Sequence, residues 1–130
     1  SIVSSTLHPV AKKISLIAKD SDIVSIDSAG LLAHYIKGDV VDVYGLGTTR
    51  YMKIHGNFKE VYQQLDKDNL DYAITWHSEN PKYYLDSAHY AKALGEDNVE
   101  EIYRVKVKVL FDIGEFPSAL AIYKIHNKNK

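Results

Sequence analysis

The sequence predicts an α/β fold, a three-layer α/β sandwich with three parallel strands followed by an antiparallel C-terminal hairpin. Three observations predict it. Short apolar runs at residues 23–26 and 40–44 bracket a helical stretch, the pattern of one βαβ unit. A second amphipathic stretch from Asn57 leads into a third apolar run at residues 72–76. From Ile102 onward the hydrophobic period changes to two, and a second strand-like run, 119–125, follows.

Each element has its own justification. Residues 6–20 read as a first helix, with Pro9 suited to its first turn and Val10, Ile14 and Ile17 at helical spacing. Asp20-Ser21-Asp22 breaks it. After the first strand, Ser28 is placed to cap a helix whose Leu31, Leu32, Tyr35 and Ile36 form an apolar stripe. Lys37-Gly38-Asp39 stops that helix and turns the chain into the second strand. Residues 45–56 are a Gly- and Thr-rich loop carrying Arg50 and His55. Asn57 and Glu60 have the spacing of a capping box, and Phe58, Val61, Tyr62 and Leu65 follow the i, i+3, i+4, i+7 pattern. The intervening helix makes the third strand parallel to the others. Residues 83–94 read as a helix closed by Gly95, and 96–100 as an acidic turn. In the last pair, Tyr103, Val105, Val107 and Val109 alternate with Arg104, Lys106 and Lys108, and Gly114 and Pro117 lie in the connecting loop.

At 130 residues the chain is a single α/β domain, 1–130, large enough for a real core. Apolar content of 45% and charged content of 25% are those of a soluble globular domain. Sixteen basic and seventeen acidic residues leave a net charge of −1. That balance excludes general affinity for nucleic acid, and argues equally against an anionic lipid surface held by a basic face. The absence of cysteine excludes disulfides and thiolate metal sites. No run approaches the ~20 apolar residues of a membrane span, and no signal peptide is visible. Ser1 in place of an initiator Met fits a piece excised from a larger protein. The ten tyrosines fit packing at the core and its rim, with a sugar- or nucleotide-stacking surface as the alternative.

In a parallel sheet the carboxyl ends of the strands share one rim, and ligand sites gather there. The candidate binding residues are therefore Asp27, Ser28, Tyr44, Gly45, Trp76 and His77. Asp27 has the chemistry to bind a cation, take a proton or accept a sugar hydroxyl; as a turn or cap residue it would instead bond the amides of the next helix. His77 has the chemistry of a neutral-pH acid or base, or is an ordinary loop residue. Asp42, inside the second strand, is either paired or on an exposed face, with a buried catalytic carboxylate as the alternative. Gly45-Leu46-Gly47-Thr48-Thr49-Arg50 lacks the lysine and spacing of a P-loop, and Asp27-Ser28-Ala29-Gly30 lacks the dinucleotide fingerprint. No Gly-x-Ser-x-Gly elbow and no metal-ligand spacing around His55 or His77 occurs. Neither a catalytic set, nor a metal, nor a cofactor is assigned. The basic stripe Arg104, Lys106, Lys108 reads as a wet hairpin face, with an anionic partner as the alternative.

Asp27-Ser28-Ala29-Gly30, then Tyr35, Gly38, Val41-Asp42 and Gly45-Leu46, together with Phe58-Lys59-Glu60-Val61-Tyr62 and Asp71-Tyr72-Ala73-Ile74-Thr75, form an ordered set. Over residues 23–84 this set resembles the soluble C-terminal domain of polytopic GT-C-type glycosyltransferases, the dolichyl- or polyprenyl-phosphate-sugar-dependent mannosyltransferase and arabinose-transferase-like membrane proteins. Ala29 stands where that pattern has glycine, and Gly30 follows it. The resemblance implies an extracytoplasmic accessory domain of a membrane glycosyltransferase, because the catalytic carboxylates of that superfamily lie in membrane loops. It implies the membrane portion of the same chain as partner, and a glycan or lipid-linked sugar as ligand. The alternative is a free-standing small α/β enzyme or nucleotide- or sugar-binding protein, cytoplasmic, with its site at the strand rim.

Overall fold

In the computed structural model, which describes residues 3–26, 30–42, 58–77, 95–107 and 119–126, a π-helical turn Val3–Leu7 leads into α1, His8–Ile17. Pro9 sits in the first turn of α1, where its missing N–H removes no helical hydrogen bond. Val10, Ala11 and Ile14 form the buried stripe. The helix stops where Ala18 becomes extended. Asp22 then makes a reciprocal turn: its Oδ2 accepts the Lys19 N–H at 2.7 Å, and its own N–H donates to the Lys19 carbonyl at 3.0 Å. That turn aims the chain into β1, Ile23–Ile26.

A 3-10 turn, Gly30–Tyr35, joins β1 to β2, Asp39–Asp42. The crossover is tighter than the expected apolar-striped helix. Leu32 is fully buried, but Tyr35 is 51% exposed. The i, i+3, i+4 apolar stripe of an α-helix therefore does not form here. α2, Phe58–Lys67, ends in a Schellman motif. Asn69 takes the left-handed conformation (φ 64°), its N–H bonds the Asp66 carbonyl, and the Leu70 N–H reaches the Leu65 carbonyl at 3.0 Å. Leu65 and Leu70 are both fully buried, supplying the apolar contact of that motif.

β3, Tyr72–His77, follows at once. Asp71 ties three strands together where they meet: its Oδ2 and N–H bond the Ile23 N–H and carbonyl, and its carbonyl accepts the Ile125 N–H at 2.9 Å. A short 3-10 turn, Glu96–Asn98, enters β4, Val99–Lys106. β4 thus begins before Ile102, with Glu100 and Glu101 in the strand and a bulge between Glu101 and Tyr103. β5, Ala119–Ile125, has the expected bounds.

The strands form one mixed five-stranded sheet in the order β2-β1-β3-β5-β4. β1 pairs in parallel with β2 and with β3. β5 pairs antiparallel with both β3 and β4. β1, β2 and β3 are thus parallel to one another and β4–β5 is an antiparallel hairpin at one edge, so the sheet as a whole is mixed, with β5 rather than β4 next to β3. Burial explains that order. Residues 119–123 are buried without interruption, as a strand flanked on both sides and covered on both faces requires. β4 alternates half-buried Tyr103 and Val105 with exposed Arg104 and Lys106, which suits an edge, and its bulge and charges protect that edge.

The main core lies between α1 and one sheet face, where Val10, Ile14, Val24, Ile26, Leu32, Ile74, Leu120 and Ile122 form one cluster. The other face is also buried. It carries Ser25, Ala73, Thr75 and Ala121, all fully buried, with Tyr123 at 3% exposure. The expected helix at 83–94, the loops 45–56 and 112–118 and the tail 127–130 lie outside the described residues.

Candidate functional site

β1, β2, β3 and β4 all run in one direction, so Ile26, Asp42, His77 and Lys106 end them at one rim. β5 starts there, Ala119 lying opposite both His77 and Lys106. From β1 the chain moves outward to β2, and from β2 it returns past β1 to β3. This reversal makes the β1/β3 boundary a topological switch point, the position at which ligands bind in open α/β sheets.

Of the six candidate binding residues, Asp27, Ser28, Tyr44 and Gly45 lie outside the described residues. The described strand ends carry the chain to them: Ile26 is in register with Asp42 on one side and Ile74 on the other. Trp76 and His77 are described, and as consecutive strand residues they project to opposite faces. Trp76 is opposite Leu120 and packs on the main core. His77 is opposite Ala119, on the face of Thr75 and Ala121. The rim brings the two backbones together but does not turn both rings into one pocket.

Sequence reasoning missed the floor of small residues beneath His77. Ala73 and Thr75 on β3 face Tyr123 and Ala121 on β5, and Ser25 on β1 lies beside Ala73. The signal was present as alternation, Ala119-x-Ala121 and Ala73-x-Thr75. Short side chains let whatever covers this face come close to the backbone. Thr75 Oγ1 is 3.4 Å from the Trp76 carbonyl.

The basic stripe is partly neutralised. Glu101 Oε1 accepts from Arg104 Nε at 2.8 Å and Nη2 at 2.5 Å, and from the Tyr123 hydroxyl at 3.2 Å. The hydrogen bond to Glu101 pushes the Arg104 pKa up, with burial working in the other direction. Glu101 at register with Tyr123, rather than a free cation, dominates this hairpin face. His126 Nε2 and Glu100 Oε2 are 2.8 Å apart across the other end of the hairpin. Lys108 lies outside the described residues. At the amino end of β3, burial pushes the Tyr72 phenol up, and the carboxylates of Asp22 and Asp71 add to the effect.

Among the described residues no cluster of three or more His, Cys, Asp or Glu side chains is arranged to hold a metal ion. Among the same residues no helix is long and apolar enough to cross a membrane. No family model, curated protein or solved structure matches the chain. Function is therefore read from the residues and from their placement on the sheet.

Proposed function

We propose that the chain is a non-catalytic extracytoplasmic accessory domain of a GT-C-type membrane glycosyltransferase, assisting acceptor or partner binding. In this reading the sheet is the middle layer of a three-layer, Rossmann-like sandwich. The observation that supports it is positional. The described part of the resembling stretch forms β1, the 3-10 turn, β2, α2 and β3, with β1 flanked in parallel by β2 and β3. Its partner is the membrane portion of its own chain, and its ligand a glycan or a lipid-linked sugar at the rim.

The experiment is an assay of the purified 130-residue chain with a polyprenyl-phosphate-linked mannose and a glycan acceptor. The expected result is neither transfer nor release of the sugar, with the membrane-bound parent losing acceptor transfer when the domain is deleted. Turnover by the isolated chain contradicts the reading. The same switch point favours a second reading, a free-standing sugar- or nucleotide-binding protein or small enzyme. A gene that begins at this segment and encodes no apolar stretch of about 20 residues selects that second reading.

A further inference from the structure

Among the described residues the sheet has two edges, and they differ in length. β2 has only four residues. β4 has eight, enough to accept another strand along its outer side. The register fixes which of its backbone groups face outward. The Ile125 N–H bonds the Asp71 carbonyl on the β3 side, and the His126 N–H bonds the Asn98 carbonyl on the β4 side. Alternate residues of β5 therefore serve β3 and β4. Lys124, Ile122 and Leu120 turn to β4, where they are opposite Glu100, Tyr103 and Val105. The N–H and carbonyl groups of Val99, Glu101, Arg104 and Lys106 are thus directed away from the sheet.

Ile102 interrupts that row. It has no partner of its own in β5, where the register steps from Glu101–Tyr123 to Tyr103–Ile122. Ile102, Tyr103 and Val105 all pack against the main core, so two consecutive residues share one face. Glu101 and Arg104 consequently share the other face, where their side chains bond. On an even strand, outward groups recur at every second residue, about 7 Å apart. Here the step from Glu101 to Arg104 is three residues. A regular strand laid along β4 matches one half of the row or the other, but not both.

Charge alone would not keep a second copy of the chain away. In antiparallel pairing about a twofold axis, the outward row sets Glu101 against Arg104 of the second copy, twice, and Val99 against Lys106, twice. The charged pairs are attractive. The amphipathic pattern does not require Ile102 either. Without it, every other β4 residue would keep its face and its partner in β5, and the outward row would be evenly spaced.

We propose that Ile102 is a guard residue, whose bulge closes the β4 edge to a second copy of this chain. Lacking it, two copies would join edge to edge into one continuous sheet. This surface is not the strand rim, and the proposal does not depend on the glycosyltransferase reading.

The test is deletion of Ile102 from the full chain, followed by analytical ultracentrifugation, with urea denaturation to establish folding. The wild type is expected to sediment as a monomer, and the deletion variant as a dimer that unfolds cooperatively. Arg104→Pro removes an outward N–H that β5 does not use, so adding it to the deletion should restore the monomer. A deletion variant that folds and stays monomeric overturns the proposal. So does one that loses cooperative unfolding, because Ile102 would then be needed for packing. A dimer that Arg104→Pro leaves intact, or a wild-type dimer that Arg104→Pro dissociates, overturns it as well. Sugar turnover does not bear on any of these outcomes, so failure here is distinguishable from failure of the proposed function.

Discussion

Leu120→Ala should lower the free energy of unfolding by about 2–5 kcal/mol, the cost of emptying a fully buried leucine site. Leu120 is 0% exposed and lies on β5 between Trp76 of β3 and Val105 of β4, in the core beneath α1. A strand at the sheet edge would let neighbours or water relax into the gap. An inserted strand is held on both sides, so little relaxation is available and the cavity term persists. Urea denaturation followed by circular dichroism measures the effect as a lower midpoint at unchanged slope. A loss below about 1 kcal/mol would contradict the central position of β5.

Gly38→Ala should destabilise the fold by about 2–4 kcal/mol, through overpacking and the loss of a backbone hydrogen bond. A Cβ on Gly38 would intrude on the Asp22 carbonyl oxygen and lie 3.0 Å from the Lys19 carbonyl oxygen. Both neighbours are backbone atoms and cannot swing aside. The same Asp22 carbonyl accepts the Asp39 N–H at 2.9 Å, the bond that starts the β1–β2 ladder. Relieving the clash therefore moves the strand start. Asp20→Ala, at an exposed position in the same turn, is the control and should change stability little. Equal urea midpoints for Gly38→Ala and wild type would show that the turn tolerates a side chain.

The local pattern made much of this legible. β1 and β5 have the bounds that their apolar runs indicate. The order of the last two strands was not legible from adjacency, since hairpin pairing alone does not say which partner joins β3. The deciding signal was the density of apolar residues: Ala119 to Tyr123 is continuous, whereas Tyr103 to Lys106 alternates. Tyr35 does not join the expected apolar stripe: a six-residue 3-10 turn forms there, with Leu32 buried and Tyr35 exposed. At the candidate site, shared rim position was legible, but period-two alternation already separates Trp76 from His77. The Glu101 cluster escaped notice because it joins residues 22 positions apart in sequence, Glu101 and Tyr123, through the β4–β5 register.

On the proposed function, the carboxyl-end rim around the β1/β3 switch point would bind a sugar or sugar phosphate without reacting. Backbone amide NMR of the 130-residue chain, titrated with mannose and with mannosyl phosphate as a headgroup probe, tests it most directly. The account predicts saturable shifts at Ile26, His77 and Ala119, the described strand ends of that rim, with the probe recovered intact. Shifts confined to residues 100–106 of β4, or to the Asp71 end of the sheet, would contradict it. So would an unchanged spectrum.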